Sequence, residues 1–307
     1  MRETNIVSGA RYDAVIVGGS FAGLSAAMQL ARARRTVLVL DTSKPRNRFA
    51  RASHGFFGQD GRPPLEIMET ARRQVTAYPT VDFAEAAATD AAFENGAFTV
   101  EVGSGEYVRA DRLVLATGVK DTLPSIPGTE ELWGTGVMHC PYCHGYEVAG
   151  RPLAVLSSGE FSVHQAMLVR DWSDHVTLLT NGTPLSLEDR QRLQTRGVSI
   201  EEAPVARLIA DGRDLAAIAF QDGRTVPFGG LFIHARYTFT SPLAERLGCE
   251  IEQGPFGPVV KTSDFKETTV SNVFAAGDIA RLNHSATFAS ADGVMAGVAA
   301  HRSLIFS

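Results

Sequence analysis

Residues 12–41 constrain the fold more than any other part of the chain. The apolar, β-branched run 12–17 has the pattern of a strand buried on both faces. The turn Gly18-Gly19-Ser20-Phe21-Ala22-Gly23 follows. Residues 24–35 then place Leu24, Ala27, Met28 and Ala31 on one helical face, with Arg32, Arg34 and Arg35 near the end, where cations suit the helix dipole. A second buried strand is expected over 36–40, ending at Asp41. From 14 to 31 the chain carries no charge for 18 residues, long enough to suggest a membrane span or a leader. Three glycines, Ser20, Ser25 and Gln29 interrupt that run, and Asp13 rather than a basic segment precedes it. Strand, glycine turn and helix account for it better.

A strand–glycine turn–helix–strand unit closed by an acid is the fingerprint of a dinucleotide site. Such a site wants glycine where the turn is tight, where backbone meets pyrophosphate and where helix packs on strand. Gly18 and Gly23 take the outer positions and Ser20 replaces the middle one, with Phe21 and Ala22 opening the helix. Asp41, 23 residues beyond Gly18, suits a ribose hydroxyl pair. A net charge of -5 offers no basic surface for phosphates, so nucleic acid is excluded as the main partner. With no other targeting or spanning segment, the expected location is the cytoplasm, with no membrane partner.

The 307 residues make two domain-lengths at roughly 150 each. A glycine-, arginine- and aromatic-rich loop over 46–61 precedes a helix at 63–78. Strands at 98–102 and 107–115 lead into Ala116-Thr117-Gly118. Residues 151–156, 161–170 and 175–179 then repeat the strand–helix–strand order, which implies a second, nested unit. A helix over 186–196 and a β-meander over 205–234, turning at Asp211-Gly212 and Asp222-Gly223, complete that part. A strand at 273–276 runs into Gly277-Asp278, and a helix over 293–301 closes the chain. Small residues ending two distant parallel strands bring backbone beside a ligand at the sheet's carboxyl edge. One nucleotide would not need both ends. FAD, with a second phosphate-sugar arm, fits.

Three cysteines are too few, and odd in number, for a disulfide scaffold. The run Cys140-Pro141-Tyr142-Cys143-His144 has four readings. It matches c-type haem attachment, which requires export. It matches a glutaredoxin site, but lies in mid-chain. As half a zinc site it lacks a second pair, so no metal is expected. The preferred reading is a redox dithiol beside a flavin, because this spacing closes a small ring and lets one thiol have a lowered pKa. Cys249 reads as a structural residue near a helix end.

The glycine turn with Asp41, Ala116-Thr117-Gly118, the cysteine pair and Gly277-Asp278 together resemble the low-molecular-weight thioredoxin reductase family over essentially the whole chain. The resemblance implies an α/β protein of two nested Rossmann-like (three-layer ββα) dinucleotide-binding domains, and a homodimer. An FAD domain would be built from 1–118 and 241–307, with an NAD(P)H-domain-like insertion at 119–240 carrying the cysteines. Asp278 would meet the flavin's ribityl-phosphate arm, and Asp292-Gly293 would start a helix aimed at its ring. Arg46, Asn47, His54, Gly55, Gly58, Gln59 and Asp60 would form a loop near the flavin, with Phe56 and Phe57 packing. Cys143 would pass electrons to the flavin, Cys140 would exchange with the sulfur substrate, and His144 would move the proton, with His139 a weaker candidate.

The sequence departs from that family in places. His144 stands where an acid is usual, and the stretch from Cys140 to Glu147 looks like a branch that includes dithiol oxidases. In the insertion the glycine-rich turn reads Ser157-Ser158-Gly159-Glu160-Phe161-Ser162, where pyrophosphate would meet side chains and a negative charge. Thr180-Asn181-Gly182-Thr183 offers neither an acid for a ribose nor arginines for a 2′-phosphate, and Arg190 and Arg192 lie in the next helix. The expected activity is an FAD-dependent thiol–disulfide oxidoreductase acting on a thioredoxin-like protein or a small-molecule dithiol or disulfide, with NADPH use left open. The alternatives are an oxygen-dependent dithiol oxidase and a flavin redox sensor without turnover.

Overall fold

The computed structural model, which describes residues 6–103, 105–159 and 161–306, opens with β1 (Arg11–Val17), α1 (Phe21–Arg32) and β2 (Val37–Asp41). The strand–turn–helix–strand order is as the sequence predicts, with the helix beginning directly after Ser20. Ala14, Val15 and Ile16 are fully buried, which explains why β1 is apolar at successive rather than alternate positions.

Contacts divide the chain into two units, the first comprising residues 1–46, 65–120 and 237–307. Its helix α2 (Pro64–Val75) leads to β3 (Val81–Glu85), β4 (Ala88–Glu94), β5 (Ala97–Val102) and β6 (Tyr107–Leu115). β3, β2, β1 and β6 run parallel in that order. On the side away from β1, the long strand β6 serves two partners: its first half pairs antiparallel with β5, and Leu113 to Leu115 pair parallel with the strand Val273–Ala275. The carboxyl ends of β1, β2, β6 and Val273–Ala275 thereby share one edge, where the glycine turn, Asp41, Thr117 and Asp278 all begin.

The closing helix spans Ala286–Phe306, not 293–301. Ser285 Oγ accepts the Phe288 N–H at 3.0 Å, so the helix starts there, and Asp292-Gly293 lies well inside it. The glycines answer to packing. A Cβ on Gly293 would sit 2.1 Å from the Ala22 carbonyl oxygen, and one on Gly297 would sit 2.6 Å from that of Ala26. The closing helix therefore presses backbone to backbone against α1. Asp292 is buried, accepting two hydrogen bonds from Arg281 at 2.7 and 2.8 Å and facing Lys266 Nζ at 2.8 Å.

The second unit comprises residues 47–64 and 121–236. Its five-stranded parallel sheet runs Ser199–Glu201, Val176–Leu179, Leu153–Leu156, Gly230–Ile233, Val137–Met138. The meander ends earlier than expected, at Thr225–Pro227, because Gly230–Ile233 is taken into the parallel sheet beside Leu153–Leu156. Four buried residues in a row suit a two-sided strand, which the meander reading of 205–234 missed. The 47–64 segment joins this unit through specific contacts. Arg213 donates to the Phe49 carbonyl at 2.6 Å, and Arg51 pairs with Asp214 at 3.1 Å. Among the described residues no helix is long and apolar enough to cross a membrane.

Candidate active site

In the first unit the glycine turn is forced by close approach. Gly18 has φ 106°, and a Cβ there would lie 2.2 Å from the Ala116 carbonyl oxygen; a Cβ on Gly23 would lie 1.7 Å from that of Gly18. Gly19 also matters, since its N–H donates to Asp41 Oδ1 at 2.9 Å while Asp41 Oδ2 accepts the Ser43 N–H at 3.1 Å. Ser20, at the N-cap of α1, makes no side-chain cap and reaches Met68 Sδ at 3.4 Å. A helix start that its own cap leaves unsatisfied is an anion site.

Beside this turn lies a cavity of about 150 Å³, lined by Gly19, Ser20, Asp41, Met68, Arg72 and Phe83 among others, with the Arg72 guanidinium 3.7 Å over the Phe83 ring. Met68, Arg72 and Phe83 were not legible as site residues, because only the pairing of β2 with β3 brings Phe83 beside Asp41. At the adjoining strand end, Thr117 Oγ1 is buried without a hydrogen-bond partner, and Thr240 donates to the Thr117 carbonyl at 2.7 Å. Gly118, with φ 69°, has open space where its Cβ would be. Arg46 donates to Asp278 Oδ2 at 2.8 Å and lies 2.6 Å from His284 Nδ1, while a Cβ on Gly277 would come within 2.9 Å of Ala22 Cβ. The structure thus brings Ala22, Ala116, Thr117, Asp278 and Arg46 to the same sheet edge. An open turn, a helix start, an oriented carboxylate and an orphaned hydroxyl fit a dinucleotide such as FAD.

In the second unit, Cys140 is the N-cap of the one-turn helix Pro141–His144. Pro141 at the first position has no N–H to lose there. The Cys143 thiol hydrogen-bonds Cys140 sulfur, and the Cys143 and Tyr142 N–H groups add to it; together they hold the Cys140 thiol below its ordinary range against the opposing effect of burial. Gly145 ends the turn against Trp172, whose ring would lie 2.9 Å from a Cβ. Burial lowers the His144 pKa; Glu147 raises it and His54 lowers it further. The net direction favours the neutral imidazole. Tyr142 and Tyr146 are 72% and 84% exposed.

His54, Gly58, Gln59 and Asp60, read from sequence as a cofactor loop, group with the cysteine unit. His54 Nε2 lies 3.4 Å from Glu147 and its Nδ1 3.5 Å from Asp60, whose carboxylate also accepts the Gly55 N–H at 2.9 Å. Gln59 accepts from Arg62 at 2.7 Å, and Asn47 carries a turn through its carbonyl to Ala50. Gly58 is a positive-φ turn residue with no neighbour at its Cβ position. His139 stacks near Trp133 at 5.9 Å, and its carbonyl is held by Gln165. Glu147 carries the signal that sequence reading left unassigned: an acid three residues past His144.

The glycine-poor turn of the second unit is occupied by its own side chains. Ser162 Oγ accepts the Ser158 N–H at 2.9 Å, Ser158 Oγ donates to the His234 carbonyl at 3.4 Å, and Phe161 meets the His234 ring at 6.3 Å. Glu160 lies outside the described residues. At the next strand end, Asn181 Oδ1 accepts the Val205 N–H at 2.9 Å. Arg190 is paired with Glu202 at 2.5 Å and Arg192 with Asp189 at 3.1 Å.

Cys249 is buried, with its thiol on Thr268 Oγ1 at 3.5 Å, and burial pushes its pKa up. In the reduced native protein, brief iodoacetamide treatment at neutral pH is expected to label Cys140 first and spare Cys249. Peptide mass spectrometry checks this, and early labelling of Cys249 would overturn the assignment.

Residues 12–301 match the family described as pyridine nucleotide-disulphide oxidoreductase. The chain is 34% identical to "Thioredoxin reductase tcpT" of Claviceps purpurea over 99% of its own length and 96% of that protein. It is 30% identical to "Thioredoxin reductase sirT" of Leptosphaeria maculans, covering 93% of this chain and 92% of that one. Among solved structures, an oxidoreductase from Agrobacterium tumefaciens superposes with a TM-score of 0.92 at 43% identity, over 96% of this chain and 99% of the other.

Proposed function

The chain belongs to the pyridine nucleotide-disulphide oxidoreductase family, and on that premise we propose an FAD-dependent thiol–disulfide oxidoreductase in which Cys140 and Cys143 exchange two electrons with a thioredoxin-like protein or a small dithiol. The observation that carries the proposal is the Cys140 thiol, lowered in pKa at the start of the Pro141–His144 turn by Cys143 and two backbone N–H groups. Bound at the glycine turn of the first unit, FAD would supply the two-electron sink or source. Gly18, Ser20, Phe21, Ala22 and Gly23 would hold its pyrophosphate, Asp41 a ribose, and Ala116, Thr117, Gly118, Gly277 and Asp278, with Arg46, the flavin-side arm. A homodimer belongs to the same proposal, on family membership.

The chain's own residues perform the sulfur chemistry. With the pair oxidised, a substrate thiolate attacks Cys140 sulfur, and the bond to Cys143 breaks as a Cys143 thiolate leaves. The second substrate thiol, deprotonated, attacks the mixed disulfide and releases Cys140. The substrate becomes a disulfide, the pair becomes a dithiol, and two electrons and two protons have moved. A lowered Cys140 pKa speeds the second step, because the more acidic thiol leaves faster. Neutral His144 takes the proton from an incoming thiol and returns it to the departing Cys143.

Oxygen-dependent dithiol oxidation is the second reading, and the turn at Ser157 to Ser162 favours it over a nicotinamide-fed reductase. The Ser158 N–H that a pyrophosphate would need is already held by Ser162, and both nearby arginines are paired. Anaerobic titration tests the two together. Dithiothreitol is expected to bleach the flavin-loaded protein, and micromolar NADPH is expected to leave it yellow. Bleaching by NADPH would overturn the oxidase reading, and bleaching by neither would leave a sensor without turnover.

A further inference from the structure

The imidazole of His54 has a carboxylate at each nitrogen: Asp60 Oδ1 at 3.5 Å from Nδ1 and Glu147 Oε1 at 3.4 Å from Nε2. It is the least exposed of the three, its side chain 23% accessible against 69% for Asp60 and 41% for Glu147. Asp60 is itself anchored by the Gly55 N–H. The 53–62 hairpin that carries His54 and Asp60 is closed by hydrogen bonds between Ser53 and Arg62 and between Gly61 and Ser53. On the other side, Glu147 lies one turn beyond His144, in the segment that follows the cysteine helix. A half-exposed glutamate on such a turn has many rotamers, and a fixed imidazole at its carboxylate selects among them.

We propose that His54 is a positioning residue for the dithiol site, holding the Glu147 carboxylate toward His144 from a hairpin braced by Asp60. The inference rests on His144 as the proton carrier and extends it to a residue of the 47–64 segment. The charged and titratable groups that act on His144 are Glu147, which raises its pKa, and His54, which lowers it. Those facing His54 are Asp60, Glu147 and His144. His54 thus acts on His144 in two ways with opposite signs. Directly it lowers the His144 pKa, whereas its grip on Glu147, which raises that pKa, works the other way. Positioning predicts that the second effect dominates.

The sign is measurable. The assay is oxidation of dithiothreitol by the holoenzyme, in which the acid limb of the pH–rate profile is expected to report protonation of His144. Glu147→Gln removes the raising neighbour, so the limb is expected to move to lower pH by roughly half a unit, the scale of a half-exposed ion pair. His54→Asn is expected to move it in the same direction, and the double variant to move it no further than Glu147→Gln alone. Asp60→Asn, which loosens the brace but leaves the imidazole, is expected to give a smaller shift of the same sign and serves if the His54 variant folds poorly. A shift to higher pH in His54→Asn would mean that only its direct effect is felt, and would overturn the proposal. Additive shifts, or none, would overturn it too. His144→Asn separates this from the underlying reading: if it removes the limb while His54→Asn leaves the limb in place, the proton carrier stands and the positioning role falls. If His144→Asn leaves the limb intact, both fall.

Discussion

Cys140→Ser is expected to lower dithiol turnover by on the order of 10³-fold or more, the scale set by deleting a nucleophile from a covalent mechanism. A hydroxyl of nearly the same size keeps the N-cap position and the turn, so flavin content and thermal stability are expected to stay as they are. What disappears is the sulfur that the Cys143 thiol and the turn's N–H groups hold below the ordinary thiol range. The partner change separates the two roles. In Cys143→Ser, Cys140 can still attack a small disulfide such as cystamine, but no second thiol can resolve the product. A mixed disulfide is therefore expected to persist at Cys140, visible as an added mass. Turnover in Cys140→Ser above a tenth of the wild-type rate would end the assignment, as would an adduct mapped to Cys249.

Gly23→Ala is the second large effect, and it is structural. One methyl would be placed 1.7 Å from the Gly18 carbonyl oxygen, backbone against backbone, with no flexible side chain to give way. Overpacking of that kind costs about 3 kcal/mol or more, which for a chain of this size lowers Tm by roughly 6–12 °C. The flavin-to-protein absorbance ratio is expected to fall with it, since α1 and the glycine turn would part. Gly58→Ala is the control. It too lies at a glycine turn, with φ 77°, but open space surrounds its Cβ position, so only the left-handed backbone cost of about 1 kcal/mol is expected. Equal losses in the two variants would show that close approach at Gly23 is not what matters.

The parts legible in the sequence are those whose cause is local. β1, α1 and β2 follow from apolar runs, a glycine turn and an acid, all within thirty or so residues, and the cysteine turn announces itself by spacing and by Pro141. What was misread has its cause far along the chain. Gly293 looked like a helix boundary because glycine is poor in a helix interior, yet the reason for it is the Ala22 carbonyl across a helix–helix contact. Gly230–Ile233 looked like one more meander strand because a run of four apolar residues suits either sheet; only pairing with Leu153–Leu156 decides. His54 was legible as functional from its loop, but Glu147, the carboxylate it faces, is remote in sequence, and no periodicity links them.

The contact between α1 and the closing helix also sets an order of events during synthesis. Ala22 and Ala26 of α1 are synthesised well before Gly293 and Gly297, which lie against them. The parallel sheet of the second unit, by contrast, has all its strands translated by Ile233. The nascent chain therefore holds α1 without its partner helix while the strands of the second unit are already complete. Premature termination before Ala286 would leave the Ala22 and Ala26 surface of α1 without that partner.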